Sequence, residues 1–340
     1  MLADLLLQRL ARLETAAVVI QSRPGPGTEP AVGFLEGLKA VPGEKRRLRQ
    51  LVAYVKRDRP DAVVLVSYSG FNLPLGEECR RVGVPVVYFA PPQVWAWGGF
   101  RTGRLKRAAD KVVCLFPFEE RLLRQKGVDA VFLGYPLLDV VQTAEGKGGT
   151  LRILGFGSDE RYVAFLPGSR PQETGFHRLL FSKVFRRLRE LLPGLRGVVV
   201  TAPTASLLAG AGRRYGIVRH AECAVVVSGT ATLETALLGT PQVVTYHLSA
   251  ASRLVARGLA STRSFALPNI LLGRGSVPEV LEPSVERLSA EVLALLGDPG
   301  RKDKALRDAV RLRQMLGSGD AIDRTAELLL ESARVGTNKA

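Results

Sequence analysis

A strand, a turn of small residues and a helix start follow one another in the C-terminal half of the chain. Residues 224–227 are apolar and rich in valine, Ser228 and Gly229 come next, and apolar residues then recur at helical spacing. Thr230 or Thr232 is predicted to cap the helix through its hydroxyl. Backbone N–H groups and the helix dipole bind anions at such a turn, and Gly229 leaves room for a phosphate. An ordinary capped strand–helix unit is the competing interpretation.

A second turn of this kind follows the strand predicted at 162–166 and contains Gly168, Ser169 and Arg170. Glycine and serine offer backbone donors there, and the planar guanidinium of arginine suits phosphate oxygens. Ligands of open α/β sheets bind outside the carboxyl ends of the strands, where both turns are predicted to lie. Glu234 stands one turn inside the helix of the first run, where its carboxylate is placed to accept hydrogen bonds from sugar or ribose hydroxyls.

A third run, residues 267–274, is predicted to be a loop that carries the amide of Asn269 and the guanidinium of Arg274. A proline-started turn before a helix is the alternative interpretation. Together the three runs favour a ligand that contains a diphosphate. No histidine, cysteine or acid pattern has metal-ligand spacing, so neither a metal nor a cofactor is predicted.

The composition narrows the range of partners. The chain has 340 residues with 48 Lys and Arg against 32 Asp and Glu, a net charge of +16. This excess suits nucleic acid, an anionic membrane surface or acidic small molecules. No nucleic-acid-binding motif is present, so nucleic acid is not predicted as a partner. Cys79, Cys114 and Cys223 lie beside apolar residues and are predicted to be buried free thiols in a reducing cytoplasm.

Strand and helix patterns alternate along the chain, which predicts an α/β fold of two Rossmann-like domains facing a cleft. The first domain is predicted at 1–145, the second at 146–316, and a C-terminal helix and tail at 317–340. The glycine-rich stretch 143–149 is predicted to be a linker. The Gly-x-Gly-x-x-Gly fingerprint is absent, which argues against a dehydrogenase. The predicted strands are 16–21, 61–67, 86–89, 111–115, 131–133, 162–166, 197–201, 224–227 and 242–246.

Short motifs stand in a specific order along the chain. They are FNL at 71–73, PQVWAW at 92–97, LFPFE at 115–119, GYPLLD at 134–139, LPGSR at 166–170, SGTATLE at 228–234, LPN at 267–269 and GR at 273–274. In this order they resemble the lipid-A-disaccharide synthases, glycosyltransferases with two facing Rossmann-like domains of the GT-B type. The resemblance runs from about Val32 to the C-terminus, and PQVWAW is among its most specific parts.

The resemblance implies both a reaction and a donor site. UDP-2,3-diacylglucosamine would donate its sugar to 2,3-diacylglucosamine 1-phosphate, forming a β-1,6 disaccharide and releasing UDP. In the family the C-terminal half holds the UDP, and no metal is needed where cationic groups stabilise the leaving group. The matching donor-binding residues are Gly168, Ser169, Arg170, Ser228, Gly229, Thr230, Ala231, Thr232, Glu234, Asn269 and Arg274.

Trp95 and Trp97 are predicted to lie on a loop at a strand end. They would form a wall for acyl chains or for the membrane, and packing beneath the loop is the alternative. The basic excess fits substrates in the cytoplasmic leaflet, so peripheral association with the inner face of the cytoplasmic membrane is predicted. In the family the terminal helix packs back on the first domain in some arrangements, and a homodimer is left open.

The acceptor side departs from the family. The family begins with a strand and a loop, whereas this chain begins on the helix that follows them, so the first strand is expected to be missing. Ser67 and Gly70 stand where the family has two aspartates, of which the second is its candidate general base. Tyr135 replaces a histidine. The catalytic base is therefore unassigned, with Asn72 and Tyr135 as nearby candidates.

Three functions remain open from the sequence. The favoured one is the synthase reaction, with the same or a changed acceptor. The second is another UDP-sugar enzyme on this scaffold, such as an epimerase, and the third is a non-catalytic relative that binds a UDP-sugar or a membrane. Glu77, Glu78 and Asp110 are candidate substitute bases, although no sequence pattern places them at a site.

Overall fold

The computed structural model describes residues 2–12, 42–95, 99, 101–169, 171–201, 211–247, 264–273 and 275–337. These residues form two compact units. The first contains the described residues up to Pro136 and from Leu316 onward, and the second contains those from Leu137 to Met315. Each unit is built around one parallel sheet, as the alternation of strands and helices predicts. The domain boundaries predicted from the sequence stay predictions.

The first unit contains a parallel sheet of four strands in the order β1-β2-β3-β4. The strands are β1 (Val63–Val66), β2 (Val86–Phe89), β3 (Lys111–Cys114) and β4 (Ala130–Phe132). Val64 pairs with Val87, and Val113 pairs with Val131. Apolar side chains point to both faces because helices cover both faces, the usual reason that parallel strands read as continuous apolar runs.

Helices pack on each face of this sheet. They are α1 (Leu2–Arg12), α2 (Pro42–Asp58), α3 (Ser69–Arg81), α4 (Arg101–Ala108), α5 (Pro117–Gln125) and the C-terminal α14 (Ala321–Thr337). Leu65 and Tyr88 share one core with Leu73 of α3 and Leu105 of α4. The opposite face of the sheet packs against α1 and α14.

The second unit contains a five-stranded parallel sheet in the order β6-β5-β7-β8-β9. The strands are β5 (Arg161–Leu166), β6 (Leu195–Val199), β7 (Cys223–Val227), β8 (Gln242–Tyr246) and β9 (Glu279–Leu281). The helices are α6 (Leu138–Gln142), α7 (Lys147–Leu154), α8 (Pro171–Leu191), α9 (Ala211–Arg219), α10 (Thr230–Leu237), α11 (Leu267–Leu272), α12 (Val285–Gly297) and α13 (Arg301–Leu316). Val225 and Phe165 form its core with residues of α8 and α12.

Two local predictions are wrong. The stretch 143–149 is not a loose linker, because α7 begins at Lys147 and the segment packs closely on α9. A Cβ at Gly216 of α9 would lie 2.6 Å from Thr150 Oγ1, so glycine here permits close helix packing. The run that begins at Leu267 forms the helix α11 rather than a loop, with a proline in its first turn.

The prediction of buried free thiols is confirmed. Cys79, Cys114 and Cys223 are all buried and unbridged. Burial raises the pKa of the Cys79 thiol to about 11, so it stays protonated and behaves as a small apolar side chain.

Candidate functional site

The carboxyl edge of the second sheet brings two of the predicted turns together. β5 and β7 are neighbouring parallel strands, with Leu166 paired to Val226, so the residues that follow each strand emerge side by side. Gly168 has a φ of +94° and the adjacent Ser169 is exposed. Arg170 lies outside the described residues.

Helix α10 begins at the turn after β7. Gly229 is its N-cap with a φ of +153°, and no side-chain hydrogen bond caps it. The prediction that Thr230 or Thr232 caps the helix is therefore wrong, because Thr232 Oγ1 instead donates to the carbonyl of Gly229 at 2.7 Å. Gly229 and Thr230 are exposed, so the start of the helix, where the first backbone N–H groups have no partner within the helix, is open to solvent.

The remaining members of this turn are held from the side. Ser228 Oγ donates to the carbonyl oxygen of Phe265 at 2.7 Å, which ties the turn to the segment before α11. Ala231 is partly exposed in the first turn of α10. The turn thus presents backbone donors and the positive end of a helix dipole, as an anion site requires.

Glu234 is buried inside α10, with 6% of its surface exposed. Its Oε2 accepts a hydrogen bond from Arg214 Nη2 at 2.8 Å, and the Arg214 guanidinium lies 4.6 Å from the centre of the Tyr215 ring. Sequence reasoning missed Arg214, since nothing in the spacing of α9 and α10 indicates that they face each other. The pair fixes the orientation of the carboxylate.

Asn269 is engaged by its own unit. Its amide nitrogen donates to the carbonyl of Val277 at 2.8 Å and to Glu279 Oε1 at 2.5 Å, and its amide oxygen accepts from the Val277 N–H at 2.8 Å. These bonds fasten α11 to β9. Arg274, the second residue predicted from this run, lies outside the described residues.

The carboxyl end of β1 is the position where the sequence departs from the family. Ser67 and Tyr68 have φ values of 56° and 26°, an uncommon backbone for residues with a Cβ. The amide of Asn72 donates to the carbonyls of Val66 and Ser67 at 3.0 Å each, and the hydroxyl of Tyr88 donates to Ser67 at 2.5 Å. Asn72 is fully buried, so its side chain lies inside the turn that its hydrogen bonds support.

A carboxylate that the sequence did not indicate lies at the same turn. The hydroxyl of Tyr68 donates to Glu44 Oε1 at 2.5 Å, and Glu44 comes from the first turn of α2. Burial, followed by the hydrogen bond to Glu44, raises the pKa of Tyr68 to about 12, so the phenol keeps its proton. Gly70 is exposed and adds no functional group.

The three substitute bases considered from the sequence are engaged in ion pairs. Glu77 pairs with Arg104 at 2.9 Å and with a second arginine, and these partners hold the pKa of its carboxyl below the usual range. Glu78 pairs with an arginine one turn along α3. Asp110 pairs with Arg80 at 2.9 Å and stands just before β3, at the amino edge of the sheet.

An aromatic row lies along the carboxyl edge of the first sheet. Trp95 meets Phe118 edge to face at 5.1 Å, Phe118 stacks on Phe116 at 5.6 Å, and Phe116 stacks on Tyr135 at 5.9 Å. Phe116 and Tyr135 are buried, whereas Trp95 and Phe118 are half-buried. Trp97 lies outside the described residues.

Glu119 holds two members of this aromatic row, Trp95 and Phe116, through hydrogen bonds. Its Oε1 accepts the indole N–H of Trp95 at 2.7 Å, and its Oε2 accepts the backbone N–H groups of Leu115 and Phe116 at 3.0 and 3.1 Å. Burial raises the pKa of Glu119 to about 7, and the three donors act against that shift. The sequence showed Glu119 only as part of a motif and gave no sign of its partner.

Two features, a membrane-spanning helix and a metal-binding cluster, are absent from the part of the chain that the structure describes. None of its helices is long and apolar enough to cross a membrane. No three or more His, Cys, Asp or Glu side chains among these residues are grouped to hold a metal ion.

Solved structures share this fold. A UDP-GlcNAc 2-epimerase from Neisseria meningitidis bound to UDP-GlcNAc aligns with a TM-score of 0.62 at 12% identity, over 96% of this chain and 89% of that one. A structure described as the glycotransferase of kitacinnamycin aligns with a TM-score of 0.56 at 16% identity, over 97% and 94%. At these identities the likeness concerns the fold alone. The chain has the GT-B fold, with two Rossmann-like domains.

Sequence comparison then gives the family. The family model described as lipid-A-disaccharide synthetase matches residues 30–317. A lipid-A-disaccharide synthase of Syntrophus aciditrophicus is 39% identical over 316 residues, which are 88% of this chain and 82% of that protein. The synthase of Geobacter sulfurreducens is 32% identical over the same shares of the two chains. The chain belongs to the lipid-A-disaccharide synthetase family and is a hexosyltransferase that uses a UDP-sugar donor.

Proposed function

We propose that this chain transfers 2,3-diacylglucosamine from UDP to 2,3-diacylglucosamine 1-phosphate, as its family membership suggests. The observation that carries the donor side is the pair of turns after β5 and β7. Gly168 and Ser169 emerge beside Ser228 and Gly229, and the exposed start of α10 lies there. We assign the UDP diphosphate to this position.

The chemistry follows from the charge that develops as the donor reacts. The bond between the sugar C1 and the diphosphate oxygen breaks, and its electron pair leaves with UDP. The N–H groups and the dipole of α10 stabilise that charge, and Arg170 and Arg274 add cationic groups. Glu234, oriented by Arg214, accepts the ribose hydroxyls.

The proposal also includes contacts with the acyl chains, association with the membrane and the oligomeric state. Trp95 and Trp97 contact acyl chains or lipid, and the net charge of +16 draws the protein to anionic lipid at the inner face of the cytoplasmic membrane. Each basic residue near such a surface contributes on the order of 1 kcal/mol. A homodimer remains one of the proposed states.

The test is UDP release by the purified chain, given both acylated substrates in detergent micelles. We expect turnover, and we expect Arg170→Ala to lower it about a hundredfold, the usual cost of removing a donor that stabilises developing charge. Arg189→Ala is the matched control, because Arg189 is exposed near the end of α8, at the opposite side of the sheet from the carboxyl ends of the strands.

The outcomes separate the alternatives. UDP release with a different acceptor, or epimerisation of UDP-GlcNAc, would replace the synthase reaction by another UDP-sugar reaction. UDP binding with no turnover on any of these substrates would identify a non-catalytic relative.

Membrane association has its own measurement. Flotation with phosphatidylglycerol vesicles should carry the protein upward at low salt, and binding should weaken as salt rises. Vesicles of phosphatidylcholine alone are the control, and equal binding to both would remove the electrostatic part of the proposal.

A further inference from the structure

We propose that Glu44 is the general base that accepts the proton of the acceptor hydroxyl. This inference rests on the proposed glycosyl transfer. Attack by a neutral hydroxyl needs a group that takes its proton as the new bond forms, and a carboxylate is a common choice. Ser67 and Gly70, at the end of β1, supply no such group.

The placement of Glu44 carries the argument. Ligands of parallel sheets bind at the carboxyl ends of the strands. Ser67 and Tyr68 lie between the end of β1 at Val66 and the start of α3 at Ser69, so the Tyr68–Glu44 hydrogen bond of 2.5 Å puts this carboxylate at that edge. Glu44 is half-buried, so the residue is partly exposed at this edge.

The other carboxylates near this edge are already engaged by other hydrogen-bond and ion-pair partners. Glu119 is 3% exposed and already accepts three N–H groups. Glu120 accepts the backbone N–H of Phe132 at 3.1 Å and pairs with Arg124 at the same distance. Glu44, by contrast, is held by a neutral phenol through one oxygen, Oε1.

Tyr68 is a positioning residue for this base. Its pKa of about 12 keeps the hydroxyl protonated, so it donates to Oε1 and fixes the carboxylate plane. The unusual backbone at Ser67 and Tyr68, braced by Asn72 and Tyr88, directs the phenol toward α2. A turn that is strained and supported in this way is typical of functional positions.

The proposed step balances as follows. The O–H bond of the acceptor hydroxyl breaks and its proton passes to Glu44 Oε2. The hydroxyl oxygen forms the bond to the sugar C1, while the bond from C1 to the diphosphate breaks and UDP departs with the electron pair. Glu44 then loses its proton to water.

The experiment compares Glu44→Gln with wild type for kcat, KM and UDP affinity. We expect kcat to fall roughly 10²–10⁴-fold, the contribution typical of a general base, with UDP affinity unchanged. A fall in kcat with unchanged KM is the result that a purely structural role would not produce. Tyr68→Phe should lower kcat by less. Glu78→Gln, an acid of α3 in a local ion pair, should retain wild-type kcat.

A rescue variant guards against misfolding. A Cβ at Gly70 would meet no atom within 4 Å, and Gly70 lies in the first turn of α3, so aspartate fits there. Adding Gly70→Asp to Glu44→Gln should restore kcat at least about tenfold by returning a carboxylate to the same turn.

Each result decides the proposal. Full activity of Glu44→Gln would overturn it, and so would an inactive wild type that Gly70→Asp activates, because the transfer reaction would then stand without Glu44. If wild type and Gly70→Asp both bind UDP but neither protein turns over the two acylated substrates, the proposed function fails, and the role of Glu44 fails with it.

Discussion

Glu119 accepts hydrogen bonds from two loops, one with each of its carboxylate oxygens. One oxygen accepts the N–H groups at the start of α5, and the other accepts the indole of Trp95. Because the side chain is 3% exposed, burial favours its neutral form and raises its pKa to about 7. The loop that carries PQVWAW is therefore coupled to a group that changes charge near neutral pH.

Tryptophan fluorescence should report this titration. The chain has only Trp95 and Trp97, and both belong to that loop. We expect the emission of the native protein to change with a midpoint near pH 7, as the indole gains or loses a charged acceptor. Glu119→Gln cannot titrate and should remove the transition, and a transition that persists in this variant would contradict the assignment.

The same shift predicts a dependence of stability on pH. A carboxyl whose folded pKa lies above its unfolded value stabilises the folded protein at low pH, and that contribution is lost as pH rises from 4.5 through about 7. Its size is about 3 kcal/mol at most. Urea unfolding should show wild type losing stability relative to Glu119→Gln across this window, and parallel curves would argue against it.

Arg214 and Glu234 form a pair whose partners are unequally buried. Arg214→Ala would leave the buried Glu234 carboxylate without its cation, and because Arg214 is 20% exposed we expect a loss of about 2 kcal/mol, below the cost of a fully buried pair. Arg213→Ala, an exposed neighbour, should cost less than about 0.5 kcal/mol. Urea unfolding measures both, and equal losses would show that the pair is not stabilising.

At the scale of elements, the start of α10 depends on the backbone of Gly229. Its φ is +153°, and a Cβ there would have open space, so Gly229→Ala tests backbone strain without a clash. We expect about 1 kcal/mol of destabilisation and a clear loss of UDP affinity by calorimetry, as the N–H groups turn away. Gly194→Ala, at an open position with ordinary φ, is the control, and equal UDP affinity in both variants would remove α10 from the donor site.

Buried parallel strands were the most predictable elements. β2 and β8 have the predicted bounds, because both are short apolar runs between clear breaks. The strand β9 was not predicted, since it has only three residues and its first is Glu279. The helix α11 was mistaken for a loop because the local pattern Leu-Pro-Asn fits both.

The residues of the candidate site also divide into those that the local sequence predicts and those that it does not. The turns after β5 and β7 could be predicted because strand, glycine and helix start are neighbours in sequence. Glu44 and Tyr68 are 24 positions apart, and Glu119 and Trp95 are also 24 apart. Contacts of this kind depend on how helices pack on the sheet, which no periodicity in one sequence specifies.

At the scale of the whole molecule, the first unit uses both ends of the described chain. α1 and α14 pack against each other and cover the sheet face formed by Val64, Val87 and Phe89. Arg9 of α1 also pairs with Asp323 of α14 at 2.6 Å. The stability of the unit that carries Glu44 therefore depends on residues nearly 300 positions away in sequence.

Leu329→Ala tests this dependence. Leu329 is 7% exposed against that sheet face, so its truncation should destabilise the first unit by about 2–4 kcal/mol. Urea unfolding followed by tryptophan fluorescence reports this unit, since both tryptophans belong to it. Glu327→Ala, an exposed change on the same helix, should leave the midpoint nearly unchanged. UDP affinity should be equal in both variants, because the proposed donor residues and the core beneath them belong to the second unit. If Leu329→Ala left the fluorescence midpoint at the wild-type value, the C-terminal helix would not stabilise the first unit. A lower midpoint with unchanged UDP binding would show that the two units can be perturbed separately.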